Sequence, residues 1–496
     1  MLSQTESVVL IQFVLVTIVS CGLMKWFALR GTSMDVMITV TCSWIFGMAG
    51  ILLLPYDISI VLSNDVNPKH VNNLSRTWET IYWITFVLAW LALPIQLEFH
   101  RSGEFTFLNK VYDAVYKNVL MYVFGGIVVV IFVIYETIRQ RSSDVAMTDF
   151  LMAVGNTYGI FLLVALAGSG LIMLPRRLWE LTKYEAELQR AWIQAPTVEE
   201  AYQEARFGLE EWESKSMALC EHIARSVATG HALDDIGDPA DLQLCSVILR
   251  GAVEGYEAED KIARRRRREG GLEEASCDEG ESSGLSLKRR LVEAHTQLKL
   301  AQIIFLAAQR QWRALLRRAE YLESVLAERD LSDNDSNPLS LTQIALRGLS
   351  IASLLLSMLI LWCEVLVSLN GILPSPLGLM IDANKNGNST LGVQVICFVV
   401  LSYLALCTFY SLFNVNIAGV AYSLSPQSSP PSSLLANGIY FSRLQFSIGF
   451  NFVILCGSGR LEHMCFNELM QVCAKYLCLR SQATIIGRRL IMATNL

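Results

Sequence analysis

LIMLPRRLWE, residues 171–180, changes character within two residues. An apolar run ends at Pro175, Arg176 and Arg177 follow, and Leu178, Trp179 and Glu180 close the stretch. A membrane helix leaving the bilayer into the cytosol reads in this order. Proline interrupts the helix, the arginines meet anionic headgroups, and Trp179 sits at the interface. Ahead of this point the chain is rich in apolar runs; behind it, to about residue 343, none is long enough to span.

The rest of the composition agrees. Of 496 residues 53% are hydrophobic and 17% charged, and the mean hydropathy is +0.39, too apolar for a soluble chain of this size. A net charge of -6 gives no global electrostatic case for nucleic acid. The twelve cysteines are thinly spread, and Cys21, Cys42, Cys363, Cys397, Cys407 and Cys456 stand in apolar runs, where cysteine packs as a small hydrophobe. Crossing a bilayer takes about 20 helical residues. Runs of that kind lie near 8–29, 36–55, 79–98, 118–135, 149–174, 348–369 and 391–413, with a weaker eighth near 439–456 that carries Arg443, Gln445 and Asn451. A membrane β-barrel would show short alternating segments instead, so the spans read as helices.

Orientation follows from three indicators. The first run lacks a basic leader and is followed by Lys25 and Arg30, which makes it an uncleaved anchor with its N-terminus outside. Alternation then places the loops near 56–78 and 370–390 outside, and these hold the glycosylation sequons at Asn73 and Asn388. A third sequon, Asn334, falls inside. Arg101, Lys110, Lys117, Arg176 and Arg177 are also inside; Arg139 and Arg141 oppose the trend.

The insert carries two apolar seams. Leu287, Leu291, Ala294, Leu298, Ala301, Phe305, Ala308, Trp312, Leu315, Ala319, Leu322 and Leu326 advance by fours and threes, the a/d spacing of a coiled coil. Val198, Tyr202, Ala205, Leu209, Trp212, Ser216, Leu219 and Ile223 form a shorter seam. The first helix is acidic and the second basic, which favours pairing with each other. Both outer ends attach to the membrane, so the pair reads as an antiparallel hairpin on the order of 60 Å long. Its expected register aligns Tyr202 with Leu322, a residue-number sum of 524. Between the helices, Arg264–Arg268 and the acidic, glycine- and serine-rich stretch that follows make a disordered tip near 264–284. SLSPQSSPPSS (423–433) reads as an unstructured inner loop.

Four stretches carry a family resemblance: LLPYDIS (53–59), YWITFVLAWLALPIQLEFHRSGEFTFLNKV (82–111), LPRRLW (174–179) and ANGIYFSRLQFSIGFNF (436–452). In motif, order and spacing the chain resembles the limb-region (LMBR) membrane proteins, nearer their domain-containing branch than their lipocalin-receptor branch. The resemblance implies about nine spans, an outside N-terminus and a cytosolic coiled-coil insert after the fifth. Members are described as receptors for small carrier proteins, as participants in cobalamin movement or as signalling regulators, and none is an established enzyme. Past Asn451–Leu455 the chain departs from the family pattern, and the ninth span is missing.

The fold class expected is therefore all-α: a polytopic membrane protein of eight or nine spans with a cytosolic antiparallel coiled-coil hairpin. Its parts are a five-span bundle (1–175), the hairpin (176–342), the C-terminal spans (343–456) and a divergent tail (457–496). Chemistry is scarce. The sequence contains no P-loop, no H-E-x-x-H and no G-x-S-x-G, and His463, Cys465, Cys473 and Cys478 lack a zinc spacing, so no catalytic, cofactor or metal residue is expected. Gly155 and Gly159 make a G-x-x-x-G that lets a neighbouring helix approach. Glu364 is a carboxyl inside the sixth apolar run, where a charge implies a cavity or a partner. Asp57 and Glu136 read as interface residues. Two functions fit: a receptor-like or signalling scaffold acting through the stalk on cytosolic or membrane proteins, or a carrier for a small ligand with Glu364, Asn156 and Gln394 lining a polar path. Either is a bilayer protein of the plasma membrane or an endomembrane, lysosomes included.

Overall fold

The computed structural model describes residues 4–29, 32–62, 68–139, 147–229, 243–253, 287–331, 341–368, 375–383, 390–414, 416–457 with short gaps, 461 and 464–474. These residues are almost wholly helical; a two-residue antiparallel pair, Asn416–Ile417 with Val420–Ala421, is the one sheet among them. They form two compact units. The first comprises 1–94, 127–184 and 332–496, the second 95–126 and 185–331. The chain thus adds 95–126 to the insert expected at 176–342.

The first unit is a bundle of α1 (Gln4–Phe27), α2 (Met34–Leu62), α3 (Pro68–Val87), α6 (Met147–Glu180), α10 (Leu341–Ser368), α11 (Pro376–Ala383), α12 (Thr390–Asn414), α13 (Pro431–Cys456) and α14 (Cys465–Ala474). Seven helices among the described residues are long and apolar enough to cross a membrane. The run at 118–135 lies in α5 (Phe107–Arg139), whose side chains are described only in part. α13 is the centre: it packs on α2 and α6, and 72% of its spanning window is buried, against 17% for α1.

Two prolines show how this bundle is locked. Pro175 does not end its helix; α6 continues through it to Glu180. Proline has no N–H, so the carbonyl of Leu171 loses its helical donor. The Ser357 hydroxyl of α10 donates to that carbonyl at 2.7 Å, and Ser350 donates to the Pro175 carbonyl at 2.9 Å. After α3 comes a π turn, Leu88–Ala92, in which the Leu93 N–H reaches Leu88. The donor for Ala89 in that register is Pro94, which has none. Arg443 of α13 donates to the Ala89 carbonyl at 3.1 Å, with its guanidinium 4.2 Å from the Trp90 ring centre. The linker expected to be unstructured is tied down as well: Gln427 and Ser429 donate their N–H groups to the carbonyls of Trp26 and Phe27 at the end of α1.

The second unit contains the end of α4 (Leu93–Arg101), the start of α5, α7 (Tyr184–Thr229), α8 (Gln243–Val253) and α9 (Leu287–Leu331). Its core is the two seams: Ala205, Leu209 and Ile223 of α7 against Leu291, Ala294, Leu298, Ala301, Phe305 and Ala308 of α9. Cys245, Leu249 and Val253 of α8 join the same core, and Phe105 packs on it, so α7 and α9 do not bury their seams with each other alone. The helices run antiparallel, but not in the register the spacing favoured. Tyr202 packs on Phe305 with ring centres 5.7 Å apart, and Glu187 pairs with Arg318. These pairs sum to 507 and 505, not 524. The sequence register would have opposed Trp212 to Trp312, and a heptad pattern is satisfied equally well after a slip. The basic tip at 264–284 lies outside the described residues.

Candidate functional site

The intramembrane polar residues form separate pairs. Glu364 of α10 is half-buried and accepts a hydrogen bond from the Asn451 amide of α13 at 3.0 Å. Gln394 of α12 donates to the Ser59 hydroxyl of α2 at 2.6 Å, and Ser59 donates to the Tyr56 carbonyl. The side chains of Asn156 and Glu136 and the sequon at Asn388 lie outside the described residues. Asn73 stands exposed on α3, its carbonyl accepting from Thr77; the segment expected as a loop is largely helix. At Gly159 a Cβ would run into Ser447 and the Arg443 carbonyl, so it is α13 of the same chain that approaches α6 there. The surroundings of Gly155, one turn earlier, are not described.

Asp57, expected at an interface, is fully buried. Its Oδ2 accepts from Trp78 Nε1 at 3.1 Å and from the Phe466 N–H at 2.9 Å. Phe466 in turn packs on Trp78, ring centres 4.9 Å apart, and Leu461, Met464, Cys465 and Met470 are buried around it. Leu461 and residues 464–474 are thus part of the bundle; residues 475–496 lie outside the described set.

In the second unit the segment HRSGEF (100–105), the end of α4 and the loop after it, is fastened to α9. The His295 ring nitrogen Nδ1 lies 2.6 Å from the Gly103 carbonyl, which only accepts, so Nδ1 carries the proton. Lys299, one turn on, donates to the Ser102 carbonyl at 2.9 Å. Phe105 stacks on the His295 ring at 4.9 Å and 14°. A Cβ on Gly103 would fall on the Val292 carbonyl and Thr296 Oγ1, so only glycine lets the loop approach α9 this closely. Burial, reinforced by the Lys299 charge, pushes His295 down to about 4, against the Gly103 hydrogen bond. Burial and then Lys110 push Lys299 down to about 8. The spacing arguments missed this site because its halves are 192 residues apart, although 100–105 lies inside one of the stretches that carried the family likeness.

The His295 shift gives a pH dependence. Between pH 6.5 and about 4 the unfolded chain takes up a proton that the folded histidine refuses. Stability is therefore full above 6.5 and falls as the pH drops through that window. At pH 5 the loss from this group is about 1–2 kcal/mol. A His295→Gln variant should show a shallower decline in melting temperature from pH 7 to pH 5 than wild type; parallel declines would show that His295 does not titrate in this way.

Comparison with known proteins decides the family: the LMBR1-like membrane protein family matches residues 5–470. The chain belongs to that family. The match passes Gly457 and enters α14, where Asp57 holds Phe466, so the LMBR1-like region extends beyond the departure expected after Leu455. Relatives include the G-protein coupled receptor-associated protein LMBRD2 of Caenorhabditis briggsae, 22% identical over 90% of this chain and 73% of that protein. The proteins of the same name from Gallus gallus and Homo sapiens are 23% and 22% identical over 76% of this chain, and the match spans 56% and 55% of their own lengths. The chain therefore spans little more than half of these two vertebrate relatives. No solved structure matches it.

Proposed function

We propose that this integral membrane protein is a receptor-associated signalling scaffold that acts by binding rather than catalysis, through its helical insert. The observation that carries the reading is a set of exposed apolar side chains on the outer side of α7. Trp192, Ile193 and Phe207 are 58%, 76% and 65% exposed. At 100° per residue they fall within a 100° arc, roughly opposite Ala205 and Leu209, and extend about 22 Å along the helix. A helix with one face in its core and large exposed apolar side chains, set among Pro196, Glu200 and Gln203, on the other is suited to a protein partner. The names of the relatives supply the partner class, a G-protein-coupled receptor. The carrier reading rests on Glu364, and it loses support because Glu364 and Gln394 each have a partner on a neighbouring helix.

Capture of co-expressed G-protein-coupled receptors on the tagged full chain tests the scaffold. Ile193→Asp with Phe207→Asp should reduce capture at least about tenfold, as loss of an apolar hot spot does, with an unchanged melting temperature. Glu364→Gln should capture normally. Equal capture by the double variant, or none by wild type across a receptor panel, removes the reading. We also propose Asn73 and Asn388 as glycosylated positions. Each Asn→Gln change should abolish one glycosidase-sensitive mass shift, and a shift dependent on Asn334 would invert the orientation.

A further inference from the structure

A cleft of about 590 Å³ lies between α1, α2 and α3, within the range of small-molecule sites. Its walls are apolar for most of their length, with Phe46 and Leu53 of α2 facing Leu10 of α1. Its polar residues gather at one end. The Trp78–Asp57 hydrogen bond sets α3 against α2, which puts Arg76 and Thr80 level with the turn of α2 around Tyr56; all three line the cleft. Phe46 stands ten residues before Tyr56, about 15 Å along the helix axis. Arg76 is the one charged residue in the lining.

A site with a cationic end and an apolar shaft about 15 Å long fits an amphipath with an anionic head. Access distinguishes a lipid from a soluble ligand. α1, which forms one wall, has 17% of its spanning window buried, and Leu10 and Phe13 are exposed, so this wall faces the bilayer and a lipid enters sideways. We propose that the α1–α2–α3 cleft binds one phospholipid, its acyl chain along Phe46 and Leu53 and its anionic headgroup at Arg76. This is a defined site, distinct from the general lipid contact of any spanning helix, and it is independent of the scaffold reading.

The test uses the full chain assembled in nanodiscs of equal parts phosphatidylglycerol and phosphatidylcholine, then extracted into mild detergent and analysed by native mass spectrometry. Wild type should retain one phospholipid, with phosphatidylglycerol favoured about fivefold, the effect of one arginine near an anionic headgroup. Arg76→Gln should keep the lipid and lose the preference. Thr80→Trp, at an exposed position on the mouth, should lose most of the retained lipid at an unchanged melting temperature. The proposal is overturned if wild type retains no lipid, if Arg76→Gln keeps the preference, or if a folded Thr80→Trp retains as much as wild type. Should Thr80→Trp fail to fold, the Arg76→Gln preference alone decides.

Discussion

Gly103→Ala should destabilise the second unit by about 3–5 kcal/mol, a large effect for one methyl group. The added carbon meets Thr296 Oγ1 and the backbone carbonyl of Val292. Thr296 Oγ1 already donates to Val292 at 2.8 Å, so neither atom has room to yield without breaking α9's own bonding. The loop must lift instead. Lifting removes the His295 and Lys299 hydrogen bonds and the Phe105 stack together, at about 1 kcal/mol each. It also leaves a lysine and an imidazole partly buried without their acceptors, which adds to the loss. Gly125→Ala, on a helix with no neighbour within 4 Å of the new carbon, is the control. Denaturant unfolding with hydrogen exchange over 100–106 and 292–299 measures both. A Gly103→Ala protein within 1 kcal/mol of that control, with the loop still protected, would show that the close approach is not needed.

How much of this was legible depended on whether the partner lay nearby in the chain or in the solvent. Spans that face lipid must be apolar, so α1 and α10 could be read directly from hydropathy. α13 read as the weakest span and is the most buried of the seven. A helix surrounded by protein can carry Arg443 and Asn451, because Ala89 and Glu364 on other helices complete their bonding, and hydropathy counts that as weakness. Pro175 misled for a related reason. Its missing N–H is a local fact, but the donor that replaces it is Ser357 on α10, 186 residues from the Leu171 carbonyl it serves. The seams of α7 and α9 were legible as buried faces, since an apolar period of 3.5 residues has to be covered. Their register was not, because a heptad pattern matches itself after a slip and α8 and Phe105 share the covering.

Asp57→Leu should release α14, whereas Asp57→Asn should leave it seated. The carboxylate is fully buried, and one of its oxygens accepts two buried donors, the Trp78 indole and the Phe466 N–H. Its other oxygen, Oδ1, has no hydrogen-bond partner among the described residues. The two oxygens pull the expectation in opposite directions. Leucine removes the unsatisfied oxygen, which favours the variant, but it orphans two donors at about 1–3 kcal/mol each. It also places a branched chain against the Trp78 and Phe466 rings. The orphaned donors outweigh the relief, for a net loss of about 2–4 kcal/mol. Asparagine keeps one accepting oxygen for both donors and removes the buried charge, so its stability should stay within about 1 kcal/mol of wild type. The difference between the variants is therefore the measurement, since it isolates the accepting oxygen from the charge. Limited proteolysis at 461–474 should cut Asp57→Leu readily and spare Asp57→Asn, with tryptophan fluorescence reporting the changed surroundings of Trp78. Equal cleavage of the two would mean that α14 is held by the packing of Phe466, Met464 and Met470 alone. Release in Asp57→Leu only would make the carboxylate the latch that ties the end of the LMBR1-like region to its second span.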